Sequence, residues 1–574
     1  MEFKINGGNS GAKIYIENEK NIDGVLYLNV KMQLEKPEIP EKFTVLFKYP
    51  VVDCYSVWSP CSFSRNNLGV NWSKRATQSR LASGLPVQSV ISLDGKNRLT
   101  IALSDAVTPT RIFSGVCEED AFFDCGVDFF TVPVAPLSEY SAIIRIDMRD
   151  IAYYDSIYDV SSWWEKECGY TPAYVPEHAR LPMNSLWYTY HQNLDVEDII
   201  SECELSVPLG MDTVIIDDGW QTDDNNRGYA FCGDWEVAHK KIPDMKKFVD
   251  RIHETGMKVM LWYSVPLLGV KSKNYERFKD MLLDCTGNNR DFWALDPRYK
   301  EVRDFLTETY EKAVSEWGLD GLKLDFIDSF ILRGKSLEYD EKRDYVSLED
   351  AVDALMLGIK ERLLRINPDI LIEFRQSYVG PAIRKYGNML RVADCPNDAI
   401  VNRCETVNLR FTSGNTAVHS DMLMWNINDP VESAAYQLIS VLFSVPQISV
   451  KIKTLPEDHK RMLKFYLGFW RSHRDILLDG KVIANNPETF YSSVWAIKDK
   501  KAVLALYSER VTDASQYSYL ALANANGTEN IIVKGANGRS CTVYNCMGDI
   551  VSNGVINGEL CEIIVPAAGI AIIE

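Results

Sequence analysis

The chain has few of the features that mark metal enzymes, disulfide-rich proteins or membrane proteins. Its 574 residues include only 7 histidines, none in an HxH pair, and 13 scattered cysteines without CxxC spacing. An odd number of scattered cysteines favours reduced thiols over a disulfide framework. No apolar run approaches the roughly 20 residues that cross a bilayer. The first ten residues, MEFKINGGNS, contain no apolar segment of a leader peptide. We therefore expect a cytoplasmic protein.

The chain also lacks positive charge and a dinucleotide motif. Its net charge is −18, which argues against nucleic acid or an anionic membrane as a partner, since both attract basic surfaces. No GxGxxG follows a predicted strand, so the sequence does not indicate a nucleotide cofactor. We expect no cofactor at all, and the composition is compatible with a homo-oligomer.

Three regions follow one another along the chain. Residues 1–175 alternate with a period of two, as in Leu26, Leu28, Val30 and Met32, which predicts a β-sandwich. Residues 176–478 alternate short apolar strands with helices such as Met245–Thr255, a pattern typical of parallel β/α units. Residues 479–574 return to short strands and turns, which indicates a second, smaller β-sandwich. The predicted fold class is therefore α/β multidomain.

Eight strand candidates in the middle region predict a (β/α)₈ barrel rather than an open sheet. They are SLWYTYH, TVIIDDGW, KVMLWYSV, GLKLDFID, ILIEFRQS, MLRVAD, AVHSDMLMW and LFSVPQIS. In such a barrel the chemistry lies at the carboxyl ends of the strands. The polar and aromatic residues at those ends are Asp217, Asp218, Trp220, Trp262, Tyr263, Lys323, Asp325, Glu373, Arg375, Gln376, Arg391, Asp394, His419 and Asp421.

Structural explanations compete with functional ones at several of these positions. Asp217 and Asp218 precede a glycine, so they might form a turn or cap the next helix. Lys323 lies two residues before Asp325 on the same strand face and would pair with it. Trp220 and Trp262 would be ordinary core residues in many proteins, and we expect His419 to support the site through hydrogen bonds rather than to catalyse.

Carboxylates beside tryptophans favour a sugar site over a metal site. The flat face of a sugar ring packs on indole, and its hydroxyls bind acids, whereas barrel metal sites usually recruit closely spaced histidines. Retaining glycosidases use two carboxyl groups about 5–5.5 Å apart, one as nucleophile and one as acid/base. Lys323 beside Asp325 would keep that carboxylate ionised. Val392, Ala393 and Cys395 around Asp394 would help it hold a proton.

The strand-end motifs resemble glycoside hydrolase family 36, the family of α-galactosidases and raffinose synthases. The motifs that carry the resemblance are LPMNSLWYTY, IIDDGWQ, GDWEVAHKKIPDMKKFVDRIHETGMKVMLWY, GLKLDFID, RVAD and SDMLMWNINDPVESAAYQ, in that order between about 176 and 450. By this resemblance Asp325 is the nucleophile and Asp394 the acid/base. Asp217 and Asp218 would hold the 4- and 6-hydroxyls, Lys323 and Arg391 would orient the ring, Trp220 and Trp262 would be its walls, and Asp421 would belong to the substrate site.

One segment departs from the family. Many bacterial members carry a cysteine- and glycine-rich loop after the fifth strand, where this chain reads EFRQSYVGP. Arg375 either binds a polar or acidic substituent of the sugar or forms an ion pair with Glu373. Asp398, four residues after Asp394, is an alternative acid.

The resemblance implies a retaining exo-α-glycosidase, an α-galactosidase that acts on oligosaccharides or other glycosides. Three alternatives keep the same fold: an α-N-acetylgalactosaminidase, a glycosidase for an acidic sugar, and a transglycosylase of the raffinose synthase type. A sugar-binding protein with an inactive site and a metal-dependent barrel enzyme are further alternatives outside this chemistry.

Overall fold

The N-terminal region is a sandwich of two six-stranded antiparallel sheets in a computed structural model that describes residues 1–60, 66–283 and 291–574. The predicted alternation is confirmed, because Leu26, Leu28, Val30 and Met32 all point into the core between the sheets. One sheet contains Phe3–Gly7, Phe43–Pro50, Arg75–Arg80, Ser83–Gly84, Thr110–Cys117 and Phe122–Phe129. The other contains Lys13–Ile22, Val25–Glu38, Ser56–Trp58, Val87–Ile91, Asn97–Leu103 and Leu137–Asp147.

Eight parallel strands form the predicted barrel. In chain order they are β1 (Met183–Ser185), β2 (Thr213–Ile216), β3 (Lys258–Ser264), β4 (Gly321–Asp325), β5 (Leu371–Arg375), β6 (Met389–Arg391), β7 (Ala417–His419) and β8 (Gln447–Ile448). Each pairs with its neighbour in sequence from β1 to β7, and β8 pairs with β1. Isolated bridges from His419 to Val445 and from Leu423 to Ile448 nearly close the ring between β7 and β8.

The strands are shorter than the sequence predicted. The first candidate, SLWYTYH, is wrong as a strand: β1 ends at Ser185, and Trp187–Tyr190 forms a helical turn. The turn brings the Tyr188 hydroxyl to Asp421, to which it donates at 2.9 Å. In AVHSDMLMW the regular strand is limited to β7, and Leu423 makes one further isolated bridge to Ile448.

Helices and short sheets surround the barrel. The helix predicted at Met245–Thr255 is confirmed. The α-helices are Tyr153–Lys166, Trp187–Tyr190, Val196–Ser206, Met245–Thr255, Tyr275–Phe278, Lys300–Trp317, Leu348–Ile366, Ala399–Thr412, Val431–Ser440, Glu457–Ser472 and Arg474–Asp479. A small sheet contains Leu267–Gly269, Leu282–Leu283 and Phe292–Leu295. No helix in these described ranges is long and apolar enough to cross a membrane.

The C-terminal region forms a seven-stranded and a three-stranded sheet. Ser493–Lys498 and Lys501–Leu506 pair as an antiparallel hairpin. The remaining strands are Lys481–Asn485, Thr512–Asp513, Tyr519–Asn524, Asn530–Lys534, Ser540–Tyr544, Ile550–Val555, Leu560–Ile564 and Ile570–Ile573. The architecture of a central barrel between two β-rich regions is thus the predicted one, while the domain limits at 175 and 478 stay predictions.

The barrel interior changes from apolar to polar along each strand. A cluster of apolar side chains closes its lower end: Met183, Ile215, Met260, Leu371, Met389 and Ala417. Residues two positions later share the same face of each strand. At those positions are Asp217, Trp262, Glu373, Arg391 and His419. The pleat alone therefore directs the polar residues of five different strands into one space above an apolar base.

The base is tightly packed where β4 begins. A Cβ added at Gly321 would lie 2.5 Å from Leu371 Cβ and 2.6 Å from the Leu371 carbonyl oxygen, whereas one added at the helical Gly358 would contact nothing within 4 Å. We expect Gly321→Ala to lower the free energy of unfolding by about 1–3 kcal/mol through overpacking. Gly358→Ala, the matched control, should raise it by roughly 0.5–1 kcal/mol. Urea unfolding measures both, and equal shifts in the two variants would contradict this packing.

Candidate active site

Asp217 and Asp218 lie directly after β2 and are both buried. Asp217 Oδ2 accepts from Lys323 Nζ at 2.5 Å. Lys323 thus pairs with Asp217, across one intervening strand, and not with Asp325 as its spacing in sequence suggested. Asp218 accepts from the side-chain amides of Gln192 at 2.7 Å and Gln221 at 2.6 Å. Burial outweighs these hydrogen bonds and raises the pKa of Asp218 to about 6.

Asp325 ends β4 and is bound unequally at its two oxygens. Oδ1 accepts from Arg375 Nε at 2.7 Å, from the backbone N–H of Phe326 at 2.8 Å and from the Tyr378 hydroxyl. Among the described residues, Oδ2 accepts only from Trp262 Nε1, at 3.0 Å. Burial alone would raise the pKa of Asp325, but the charges of Arg375 and Lys323 and the bonds from Tyr378 and Trp262 hold it far below its usual value.

Arg375 does not form the ion pair with Glu373 that the sequence allowed. Its partner is Asp325, not Glu373, whose Oε2 instead accepts from Gln447 Nε2 at 2.5 Å. The guanidinium lies beside the rings of Phe326 and Tyr378, at 5.4 and 5.7 Å from their centres. Tyr378 was not predicted as a site residue. The only signal for it in the sequence is an aromatic residue shortly after the unusual Arg375.

Asp394 lies at the open end of the site, after β6. About 49% of its side chain is exposed, and Oδ1 accepts from Arg391 Nη2 at 2.8 Å. Its predicted apolar setting is therefore wrong. Burial would raise the pKa of Asp394, but the charges of Arg391, Lys323 and Arg375 outweigh it and keep the pKa below its usual value.

Asp421 lies behind Arg391 and does not reach the open space. Its side chain is fully buried, with Oδ1 accepting from Arg391 Nη1 at 2.5 Å. Oδ2 accepts from the Tyr188 hydroxyl at 2.9 Å and the Cys395 backbone N–H at 2.7 Å. The predicted place of Asp421 in the substrate site is thus corrected: it holds Arg391 and the start of the loop that carries Asp394.

Of the two predicted tryptophan walls, only Trp262 belongs to the site. Trp220 is fully buried, donates to the Trp262 carbonyl oxygen at 2.9 Å and packs edge-on against Tyr263 and Trp317. Both indoles are buried, but the Trp220 N–H is used on the main chain and the Trp262 N–H on Asp325, so the predicted contact of Trp220 with the sugar is corrected. Trp220 instead supports the backbone of Trp262 from behind.

Two further candidates have structural partners. Asp398 begins the helix Ala399–Thr412 and accepts from the Val401 N–H at 3.0 Å, so the alternative acid is a helix cap. His419 is buried, with Nε2 2.8 Å from the Ala179 carbonyl oxygen and Nδ1 3.3 Å from Gln447 Nε2. Burial lowers the pKa of His419 to about 4, so it is neutral and supports the polar layer as predicted.

The N-terminal sandwich holds two of the site loops in place. Arg80 donates to the carbonyl oxygens of Asp328 at 2.7 Å and Phe330 at 2.8 Å, just after the strand that carries Asp325. The Gly84 N–H donates to the Ser377 carbonyl oxygen at 2.7 Å, between Arg375 and Tyr378. The segment between Arg375 and Tyr378, which both bind Asp325 Oδ1, is therefore anchored by a residue about 290 positions earlier in the chain.

Comparisons with known proteins agree with this geometry. The family profile described as Melibiase matches residues 173–414. Mel36A, an α-galactosidase of Lactobacillus acidophilus, is 28% identical over 197 residues, which are 33% of this chain and 26% of the relative. The α-galactosidase AgaA of Geobacillus stearothermophilus is 22% identical over 361 residues, 59% of this chain and 46% of the relative.

Residues 173–414 therefore resemble the melibiase family. This confirms the predicted kinship with the glycoside hydrolase family 36 α-galactosidases. A solved structure of an AgaA variant in complex with raffinose matches all of this chain and 86% of that one, with a TM-score of 0.63 at 13% identity. At that identity the likeness extends to the fold. In sequence the chain aligns with only about a quarter to a half of the length of these relatives.

A buried acid lies beside the site on the helix Ala399–Thr412. Glu405 is fully buried, and neither of its carboxylate oxygens is hydrogen-bonded to any described residue. The buried side-chain amide of Gln376, the residue after Arg375, has no hydrogen-bond partner among the described residues either. Burial raises the pKa of Glu405 to about 8. The carboxyl is thus protonated at neutral pH.

This acid makes stability depend on pH. A carboxyl with a raised pKa binds its proton more tightly in the folded state, so stability falls as the pH rises from about 4.5 towards 8. We expect Glu405→Gln to remove that loss and to be more stable than wild type by roughly 3–5 kcal/mol at pH 8, with a smaller difference near pH 5. Urea unfolding at several pH values measures it. A constant difference between the two proteins would contradict a buried, titrating Glu405.

Proposed function

We propose that the chain is a retaining exo-α-glycosidase, an α-galactosidase that releases terminal α-linked galactose from oligosaccharides. The observation that carries the proposal is the state of the two predicted catalytic acids. Asp325 is ionised and held by hydrogen bonds, and its Oδ2 accepts a single one of them. Asp394 is exposed to an incoming substrate. One acid suits attack on the anomeric carbon, and the other suits proton exchange with the leaving group and water.

The reaction takes two steps. Asp325 Oδ2 attacks C1 from the β-face as the C1–O bond breaks, and the departing oxygen takes the bonding electrons and a proton from Asp394. A water then loses a proton to Asp394 and attacks C1. The C1–Oδ2 bond breaks and its electrons return to Asp325. Both carboxyl groups end in their starting states, and the sugar leaves with its α-configuration retained.

The other polar groups fit roles in holding the sugar. Asp217 and Asp218 would accept from the 4- and 6-hydroxyls, and Lys323 and Arg391, each fixed by a buried carboxylate, would orient the ring. Trp262 would pack beside it. The charge of Arg375 is already balanced by Asp325, so the site favours a neutral galactose over an acidic sugar. A water and a sugar acceptor would use the same residues, and product analysis at high acceptor concentration distinguishes hydrolysis from transglycosylation.

We also propose a cytoplasmic location for the reaction. Eleven described cysteines are free, which suits a compartment where thiols stay reduced. The expected partner is a small oligosaccharide, since a net charge of −18 opposes association with nucleic acid and anionic membranes.

A panel of nitrophenyl α-glycosides tests the sugar and the nucleophile together. It contains galactose, N-acetylgalactosamine, glucose and galacturonic acid, and wild type is assayed beside Asp325→Asn. We expect wild type to release nitrophenol from the galactoside, and the variant to lose roughly 10⁴-fold or more in kcat. Cleavage of another sugar would keep the mechanism and reassign the specificity. Turnover by Asp325→Asn near the wild-type rate would reject Asp325 as nucleophile.

Asp394→Ala tests the acid/base. An oligosaccharide has a poor leaving group that needs a proton, whereas 2,4-dinitrophenolate does not, so we expect a far larger loss with raffinose than with the dinitrophenyl galactoside. Added azide should restore turnover of the activated substrate and give α-galactosyl azide. In wild type, the low pKa of Asp394 should make kcat/KM for raffinose rise as the pH falls from 7 to 5, with little change for the activated substrate.

Asp398→Ala is the matched control for Asp394. It removes a carboxylate four residues away that caps a helix, so we expect kcat/KM to stay within about twofold of wild type for both substrates, because surface caps act on stability. Selective loss of raffinose cleavage in Asp398→Ala, with Asp394→Ala nearly unaffected, would exchange the two assignments.

A further inference from the structure

The unequal binding of the Asp325 carboxylate has a kinetic consequence. Three donors, from Arg375, Phe326 and Tyr378, occupy Oδ1, and a single indole N–H contacts Oδ2. An oxygen with three donors has no lone pair left for attack, so Oδ2 is the attacking atom. In the covalent intermediate, Oδ2 becomes the ester oxygen and Oδ1 the carbonyl oxygen.

Arg375 depends on Asp325 for its charge balance. Asp325 is the only carboxylate within ion-pair distance of Arg375 among the described residues. Its other hydrogen bond goes to the Gln376 carbonyl oxygen, at 3.0 Å. Lys323, by contrast, keeps its own partner Asp217 whatever happens at Asp325. The guanidinium therefore loses its counter-ion when Asp325 becomes an uncharged ester, and the lysine does not.

We propose that Arg375 is a positioning residue that destabilises the covalent glycosyl-enzyme relative to the free carboxylate, so that formation of this intermediate, and not its hydrolysis, limits turnover. The proposal rests on the proposed function and goes beyond it. The inference depends on the ion pair between Arg375 and Asp325. This pair exists before the first step and after the second, but not in the covalent intermediate.

The two chemical steps are affected in opposite directions. In the first step the electron pair of Oδ2 forms the bond to C1. The guanidinium stabilises the charged carboxylate, so losing that charge in the transition state raises the barrier of this step. In the second step water forms a bond to C1, the C1–Oδ2 bond breaks, and its electrons restore the charge beside Arg375. A less basic carboxylate is the weaker nucleophile and the better leaving group. Arg375 thus slows the first step and accelerates the second.

The ion pair between Arg375 and Asp325 depends on the local sequence. The segment EFRQSYVGP stands where the resemblance leads one to expect a cysteine- and glycine-rich loop, which would supply no charge. The N-terminal sandwich fixes the segment through Gly84 and Ser377, so the guanidinium is held on Asp325 by the fold. The Arg375 side chain is largely buried.

The test measures which step limits turnover in wild type and in Arg375→Gln. Rapid mixing with 2,4-dinitrophenyl α-galactoside should show no burst of phenolate for wild type, and kcat should rise with the acidity of the leaving group in an aryl galactoside series. In Arg375→Gln we expect a burst approaching one equivalent per active site. Its kcat should be independent of the leaving group, and hydrolysis of the intermediate should be at least tenfold slower.

The pH profile gives a second readout that a purely structural role would not move. Removing an adjacent arginine raises the pKa of a carboxyl by about 1–3 units, so the acidic limb of kcat/KM should move upward by a similar amount in Arg375→Gln. Arg375→Lys restores the charge and should return the wild-type behaviour, without a burst. Tyr378→Phe removes a neutral donor from the same oxygen and should slow hydrolysis of the intermediate less than Arg375→Gln does.

The outcomes separate this inference from the proposed function. If wild type cleaves no galactoside, the proposed function fails and the inference fails with it. If wild type cleaves the galactoside but shows a burst, or Arg375→Gln shows none, the inference alone is overturned. Thermal unfolding of each variant checks folding, and the presence or absence of a burst in wild type decides the matter if Arg375→Gln does not fold.

Discussion

Cation–carboxylate pairing at the barrel mouth is the constraint on which the rest of the site depends. Lys323 pairs with Asp217, Arg375 with Asp325, and Arg391 with Asp421 and Asp394. A buried charge without a partner is strongly destabilising, whereas a paired and hydrogen-bonded one is tolerated. Each cation therefore fixes the carboxylate it neutralises. The pairing also sets which acids stay charged, so geometry and protonation in this site have one common cause.

The pairing would not hold without support from outside the barrel. The loops after β4 and β5 receive hydrogen bonds from Arg80 and Gly84 of the N-terminal sandwich. Gly84 has φ +72°, and a Cβ there would lie 2.0 Å from the Gln78 carbonyl oxygen, so the turn that presents this N–H to Ser377 requires glycine. The sandwich thus belongs to the structure of the site, even though it supplies none of the proposed catalytic groups.

Much of the fold and part of the site could be predicted from the sequence. Period-two alternation predicted the sandwich because one strand face is buried there, and eight short apolar runs predicted the barrel because both faces of its strands are buried. Strand ends with Asp217, Asp325, Arg391 and Asp394 predicted a polar mouth, since barrel topology brings such ends together. Residue partners could not be predicted in this way. Lys323 forms its ion pair with Asp217 and not with its near neighbour Asp325. Only the three-dimensional arrangement of β2 to β4 determines this partner.

The roles of the two tryptophans could not be predicted from residue type and position near a strand end. Trp220 and Trp262 both lie near strand ends beside acids, and composition cannot tell a ring that faces a ligand from one that supports it. The pleat can. Trp262 falls on the inward face of β3, in register with Lys323 of β4, and its N–H reaches Asp325. Trp220 follows a turn after Asp218 and Gly219, and its N–H is used on the backbone of Trp262. The hydrogen bond that each indole donates, to a catalytic carboxylate or to the main chain, is what separates the two roles.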